Sequence, residues 1–299
     1  MGQIQLNNPR AITVNRGIWL TVGVILLAVL LTNLFSRAGS SDGLSLGPKV
    51  GLIHLEGPIF SSEPTLDDFK ELSDRYDIKA FVLRINSPGG AVAPSQELFE
   101  KVKAVNAHIP VVVSIGTVAA SGGYYAAVGS QRIVANPGSI TGSIGVIMDY
   151  PVVTDLMGKV GVKIETVKSG SLKDAGSPTR EVTEADRAYF KDIITDMHQQ
   201  FISAVAEQRK LDPEQVKTLA DGRVFTGRQA VELGLVDTLG TLEDAIAIAA
   251  QFGGISGTPK TAKPRHRKSS ILDWVLEEGE TAMWPIFNRM PAFRWYGRE

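Results

Sequence analysis

Phe81-Val82-Leu83-Arg84-Ile85-Asn86-Ser87-Pro88-Gly89-Gly90 is an apolar run of strand length closed by a glycine turn, and a helical pattern follows from Pro94 to Val105. The same grammar recurs thirty residues on. Val111-Val112-Val113-Ser114-Ile115 leads into Ala119-Ala120-Ser121-Gly122-Gly123-Tyr124-Tyr125, so a second buried strand breaks at glycines into a second helix. Short apolar runs bounded by glycine or proline read as buried strands, and the glycines mark where backbone direction changes. Outward from these two units, Val50 to Ile59 predicts a strand and turn, Thr65 to Tyr76 a helix, Lys79 to Ile85 and Pro110 to Gly116 buried strands, and Arg132 to Ala135 another strand. Strands that alternate with helices predict an α/β layer architecture with a parallel sheet.

Ser139 to Met148 mixes glycine turns with apolar residues. The clearest long helix is Thr183 to Lys210, where Tyr189, Phe190, Ile193, Ile194, Met197, Phe201, Ile202 and Val205 recur at spacings of three and four behind Thr183 as N-cap. A shorter helix is expected at Pro213 to Leu219, leading into Asp221 to Gly227 and then Arg228 to Leu233, and no internal repeat is evident.

At 299 residues, 43% hydrophobic and 21% charged, the chain suits one large core with appendages and is too apolar to be disordered. A formal net charge of -1 gives no basic footprint for nucleic acid. The absence of cysteine removes disulfides, thiolate metal sites, cysteine nucleophiles and lipid attachment through cysteine.

The amino terminus bears on location. Residues 17–35 read GIWLTVGVILLAVLLTNLF without a charge, and at about 1.5 Å per residue such a helix nearly spans a hydrocarbon core of about 30 Å. It reads as a transmembrane signal anchor between a cytoplasmic stretch, 1–16, and an extracytoplasmic body. Arg10 and Arg16 before it, against Arg37 after it, give the positive-inside bias. Ser36 and Ala38 also form a small-x-small cleavage pattern, but the apolar stretch exceeds the roughly 7–15 residues of a usual signal-peptide core. Burial as a core helix is the third alternative. Residues 36–48 are a glycine- and serine-rich tether, 49–252 the folded domain, and 253–270 a basic linker. The tail, 271–299, interleaves Trp274, Trp284, Phe287, Phe293, Trp295 and Tyr296 with Arg289, Arg294 and Arg298. That mixture suits a lipid headgroup layer; the alternatives are a self-inhibiting peptide that occupies the site, and a tail packed on the body or a disordered end.

Ser121 lies at a strand-to-helix change, where its side chain projects from the turn and the following N–H groups carry the positive end of a helix dipole. Gly89 and Gly90 bring further backbone N–H groups that glycine lets approach a developing oxyanion. A serine before two glycines is also simply a helix cap, and Pro-Gly-Gly simply a turn. A nucleophilic serine needs a base. The four histidines, His54, His108, His198 and His266, fall in a strand pattern, at a helix end, on the long helix and in the basic linker, and each reads as structural or solvated. The alternative is a lysine, which with a reference pKa of about 10.4 must be desolvated by about 4 kcal/mol to be half neutral near pH 7.5. Residue type and spacing alone do not single out which lysine.

Ile85 to Gly90 (INSPGG), Ala120 to Ala127 (ASGGYYAA), Thr141 to Val146 (TGSIGV), Ser169 to Pro178 (SGSLKDAGSP), Asp221 to Gly227 (DGRVFTG) and Gly234-Leu235-Val236-Asp237, in this order, resemble the signal peptide peptidase A family. The resemblance covers about Lys49 to Gln251. INSPGG alone is shared with Clp protease, whereas the set in order is specific. The resemblance implies a Clp/crotonase-like α/β core of repeated ββα units and a serine endopeptidase that needs no cofactor. By motif position it makes Ser121 the nucleophile, Lys173 the general base and Ser143 the serine that orients that lysine, with Gly89, Gly90 and Gly122 around the oxyanion.

Long forms of the family carry two tandem cores; this chain has one, so the resemblance implies a homo-oligomeric ring in which the serine of one subunit meets the lysine of the next. Peptide substrates, among them signal-peptide remnants near the membrane, and contact with membrane lipid follow as expectations. After the first turn the chain reads GGAVAPS, with two glycines where some relatives have three, which leaves open whether Gly89 or Gly90 donates to the oxyanion. A crotonase-type acyl-CoA enzyme and an inactive membrane-tethered scaffold are the alternatives from other classes.

Overall fold

A computed structural model of the chain describes residues 47–265 and the backbone of Ala292–Arg294. Residues 1–46, and with them the 17–35 stretch, lie outside the described residues, as do the side chains of the aromatic tail. Among the described residues no helix is long and apolar enough to cross a membrane.

The chain enters at β1 (Lys49–Glu56), crosses through α1 (Glu63–Ser73) and returns as β2 (Ile78–Ser87), parallel to β1 from Lys49↔Ile78 to Glu56↔Asn86. After the short β3 (Gly89–Ala91), α2 (Val92–Asn106) leads to β4 (Val111–Ala120), parallel to β2. Beyond α3 (Gly122–Ala127), β4 takes two partners along its length. β5 (Arg132–Ala135) pairs with Val112–Ile115 and β6 (Ile140–Gly142) with Val118–Ala120, both parallel. β7 (Val224–Thr226) closes on β6 antiparallel, β8 (Thr238–Leu239) extends β5, and β9 (Lys260–Ala262) flanks β1. These form one eight-stranded sheet whose central path runs β7-β6-β4-β2-β1-β9.

The strands are buried on both faces, as parallel sheets are, and their side chains alternate between two cores. Ile53, Phe81, Leu83, Ile85, Val113 and Ile115 join the larger core. Val50, Leu52, Ala80, Val82, Val112 and Val134 turn to the other face, where α8 (Leu242–Phe252) covers them with Ala245, Ala249 and Ala250. Small residues let α8 lie close, and a capping box between Thr241 and Asp244 starts it. Helices on both faces of a parallel-rich sheet fit the Clp/crotonase-like class.

The differences from the sequence expectations have local causes. The first strand stops at Glu56, because Gly57 takes φ +70° and Pro58 follows. The first helix begins at Glu63, with Pro64 in its first turn where a missing N–H costs nothing. Ser139 to Met148 yields only the three-residue β6. α4 (Thr154–Lys159), α8, β8 and β9 had no counterpart in the sequence reading, and β9 draws Lys260–Ala262 of the basic segment into the sheet. The long helix is α5 (Glu184–Arg209), with Thr183 and Asp186 forming its capping box. Its apolar stripe is only half used: Phe201, Ile202 and Val205 enter the core, whereas Tyr189 is exposed. α6 (Pro213–Leu219) and α7 (Gly227–Glu232) complete the body.

Candidate active site

Ser121 stands between β4 and α3 with φ 54° and ψ -120°, a left-handed backbone that a non-glycine residue holds only under about 1–3 kcal/mol of strain. The surroundings over-determine it. Its N–H donates to Gly142 O at 2.8 Å, its carbonyl accepts from Tyr125 N at 2.8 Å, and every residue of α3 is buried. Tyr125 wedges between Phe99 and Phe201 with ring centroids 5.2 and 4.6 Å away, and the Tyr124 hydroxyl donates to Leu235 O at 2.8 Å. Burial pushes that phenol well above its ordinary pKa, so it stays a donor. The turn Gly234–Asp237 is therefore structural: Arg209 donates to Gly234 O and to Asp237 Oδ2, and Asp237 Oδ2 accepts from Ile133 N.

The Ser121 hydroxyl itself is fully buried and has no hydrogen-bond partner among the described residues. It does not act as a cap for α3. Among the described residues no histidine bonds to it; His54 pairs with Glu56 instead, and the buried Nε2 of His198 is likewise unpartnered. A buried hydroxyl without a partner is costly unless something absent from the single chain completes it.

The first glycine turn packs directly against this elbow. A β-carbon on Gly122 would stand 2.3 Å from Ser95 Oγ and 3.2 Å from Gly90 N. One on Gly90 would stand 2.0 Å from Ile59 O, so neither position accepts a side chain. Gly89, at φ +98°, donates its amide to Ser87 Oγ at 3.1 Å. Ile59 N donates to Gly89 O at 2.9 Å and Ala91 N donates to Ile59 O at 2.8 Å. Because successive residues of a strand face opposite edges, the N–H and C=O of Gly90 point away from Ile59. On that edge β10 (Ala292–Arg294) pairs antiparallel with β3, Phe293 opposite Gly90 and Arg294 opposite Gly89. Ser87 and Ser95 had no role in the sequence reading, although both lie in or beside the first turn.

Ser143 follows Gly142, the residue that holds the Ser121 amide, and is itself left-handed at φ 52° and buried. Its N–H donates to Arg223 O at 2.8 Å, and β7 clamps β6 with Gly142 opposite Val224. Ser121 and Ser143 thus sit at the ends of neighbouring strands, as Ala120 pairs with Gly142. The Asp221-to-Gly227 motif holds this arrangement, Arg223 ion-pairing with Asp221, which drops to a pKa of about 2.

Lys173 is elsewhere. It lies exposed in a turn whose amide donates to Gly170 O at 3.1 Å, and it makes no hydrogen bond to Ser121 Oγ within the chain. The neighbouring Asp174 carboxylate is engaged by Arg180 and Lys168, which hold its pKa at about 2. The segment leading there leaves Ile147, Val152, Leu156, Val160, Val162, Ile164, Val167 and Leu172 in solvent. Among the described residues no group of three or more His, Asp or Glu stands positioned to hold a metal.

One family model matches: that of peptidase family S49, over residues 103–256. The chain is 44% identical over 209 residues to "Putative protease slr0021" of Synechocystis, with 69% of this chain and 75% of that protein covered. It is 38% identical over 188 residues to "Putative signal peptide peptidase SppA" of Enterococcus faecium, covering 62% of this chain and 55% of that one. It is 40% identical over 176 residues to "Protease 4" of Salmonella typhi, of which it spans only 28%. The matched residues run from α2 through the Ser121 elbow and the Lys173 turn to the end of α8, and the chain belongs to peptidase family S49, the serine peptidases of the signal peptide peptidase A type.

Proposed function

We propose that the chain is a membrane-anchored serine endopeptidase whose Ser121–Lys173 dyad is completed between subunits of a homo-oligomeric ring. The observation that carries this reading is Ser121, strained in its backbone, with a hydroxyl fully buried and unpartnered among the described residues, while Lys173 is exposed and makes no hydrogen bond to it. A solvated lysine is protonated at neutral pH. Burial against a neighbour's elbow disfavours the ammonium, and Asp174 does not oppose this because its carboxylate is already paired. The apolar side chains exposed between Ile147 and Leu172 are a surface of the kind that a second copy would cover.

In this mechanism neutral Lys173 takes the Ser121 proton as Oγ forms a bond to the scissile carbonyl carbon. The oxyanion receives hydrogen bonds from backbone amides at Gly122 and Gly90. Gly90 is favoured over Gly89 because the Gly89 amide is tied within the turn to Ser87 Oγ, whereas the Gly90 amide faces the β10 edge that a substrate strand would take over. Ser143 orients the lysine. The ammonium returns its proton to the leaving amine, and water then attacks the acyl-enzyme with Lys173 as base. Substrates are extended peptides at the membrane, signal-peptide remnants among them, held as an added strand on β3, and residues 17–35 supply the anchor that faces the body outward.

Fluorophosphonate labelling tests the reading together with peptide cleavage by Ser121→Ala and Lys173→Ala. Label on Ser121 in the parent and no cleavage by either variant is the expected result. An acyl-CoA enzyme or an inert scaffold would remain unlabelled, and cleavage that survives Lys173→Ala would remove the lysine from its role.

A further inference from the structure

The turn that carries Lys173 is built around a different side chain. The Arg180 guanidinium spends every donor in one place: Nε donates to Asp174 Oδ2 at 2.9 Å, and Nη2 reaches Asp174 Oδ1 at 3.0 Å and the Asp174 carbonyl at 3.1 Å. Its other side donates to Asp186, from Nη1 to Oδ2 at 2.5 Å and from Nη2 to Oδ1 at 2.9 Å, while Nη1 also reaches Glu181 O at 2.9 Å. Asp186 is no free surface acid. It is buried, and its Oδ2 accepts from Thr183 N at 2.9 Å as the return half of the α5 capping box. A planar fork with five donors fits two carboxylates at once, which the single point of a lysine ammonium does not.

Lys168 finishes the frame. Its Nζ donates to Ser171 O at 3.1 Å and to Asp174 Oδ1 at 2.7 Å, so the chain is stapled on both sides of Lys173. Ala175 N to Leu172 O and Ser177 N to Asp174 O close the turn. The exposed Lys173 therefore rises from a backbone fixed to the first turn of the longest helix.

We propose that Arg180 is a positioning residue for the base, acting through Asp174. This rests on the reading of Lys173 as general base. Arg180 holds the turn to α5 so that Lys173 is presented to the neighbouring elbow at a fixed height. It also keeps the Asp174 carboxylate occupied, so that the one acid adjoining Lys173 in sequence does not stabilise its ammonium. The charged groups on and around the turn are Lys168, Asp174, Arg180, Glu181 and Asp186. Lys168 and Arg180 together balance the two buried-side acids, and Glu181 is turned to the Thr154 hydroxyl.

The experiment compares the assembled full chain with Arg180→Gln, Arg180→Lys, Asp174→Asn, Arg180→Gln/Asp174→Asn and Lys173→Ala, reading kcat, KM and the acid limb of the kcat–pH profile on a short peptide. Arg180→Gln should lower kcat about tenfold or more with KM within about twofold, the signature of lost orientation. Its acid limb should move up by about one pH unit, because a carboxylate freed beside a lysine favours the charged form. Removing that carboxylate in the double variant should return the limb to its parent position. Arg180→Lys should lie between parent and Arg180→Gln, and decides the matter if the latter does not assemble.

An Arg180→Gln or Arg180→Lys enzyme with parent kcat and an unmoved limb overturns the proposal. So does a rate loss with no limb shift that is the same in the double variant, which is what mere loss of stability would give. Cleavage that survives Lys173→Ala is a separate failure, of the base assignment itself.

Discussion

The amide nitrogen of Gly90 lies 3.2 Å from the point where a β-carbon on Gly122 would stand, so the two backbone donors proposed for the oxyanion share one crowded corner. Gly122→Ala forces a methyl group against Ser95 Oγ and pushes the corner apart. Overpacking of this kind costs about 1–3 kcal/mol of stability, whereas loss of one aligned oxyanion donor costs about 100-fold or more in kcat. The expected variant is folded, melts modestly lower and acylates at least about 100-fold more slowly. Near-parent turnover would place the oxyanion elsewhere.

Ser121→Ala and Lys173→Ala chains, each inactive alone, should regain part of the parent activity when co-assembled. If the dyad is shared as proposed, some interfaces of a mixed ring join an intact Ser121 to an intact Lys173, two side chains that make no hydrogen bond to each other in the single chain. Mixed assembly verified by mass, with no recovered cleavage, would mean that each chain builds its own dyad by a rearrangement of the Lys173 turn.

Ser143→Ala should slow turnover by roughly the 1–3 kcal/mol of a lost hydrogen bond and shift the basic side of the pH profile, less than the full loss expected of Ser121→Ala. A φ of 52° strains serine and alanine alike, so Ser143→Ala isolates the hydroxyl and Ser143→Gly is the control that removes the hydroxyl while relaxing the backbone. Inactivation of the glycine variant as complete as that of Ser121→Ala would argue for more than an orienting role.

Much of this was legible because the site's backbone demands leave marks in residue type. Gly90 and Gly122 admit no side chain, and the apolar runs Phe81–Ile85 and Val111–Ile115 read as strands because both faces are buried. What escaped was set by contacts distant in sequence. Ala245, Ala249 and Ala250, with Leu242, Ile246, Ile248 and Phe252 beside them, cover the second face of the sheet, and that partnership is set by strands more than a hundred residues earlier in the chain. The stripe of α5 promised burial along its whole length, but Tyr189 stays exposed at the end of the helix where Phe190 meets Tyr150 instead of the core. Arg180 reads as an ordinary loop arginine until the fold brings Asp174 and Asp186 to either side of it.

Acid should loosen the start of the sheet. Arg75 and Lys49 ion-pair with Asp77 at 2.9 and 3.2 Å and, with the Arg75 hydrogen bonds as the larger cause, hold its pKa at about 2, while Lys49 N donates to Asp77 O at 2.7 Å. A carboxylate held below its unfolded value, about 3.9, adds stability above that value and loses it as pH falls toward 2. Denaturant unfolding should therefore show Asp77→Asn weaker than the parent at pH 7, with the gap closing between about pH 4 and pH 2. A gap independent of pH would assign the loss to packing.

One described strand of the tail, β10, pairs with the glycine turn proposed for the oxyanion. β10 lies on the edge of β3 where Gly90 turns its N–H and C=O, the edge on which an extended substrate would add as a strand. A tethered segment there competes with substrate at the effective concentration its linker sets. Deleting residues 292–299 should thus lower KM for a short peptide several-fold and leave kcat unchanged. A synthetic peptide of residues 291–299 should inhibit the truncated enzyme competitively. A fluorescent form of that peptide should also bind truncated chain carrying Ser121→Ala, a readout independent of turnover. If the deletion instead reduces binding to anionic vesicles and leaves KM unaltered, with no binding of the peptide, the tail serves the membrane and not the peptide edge of β3.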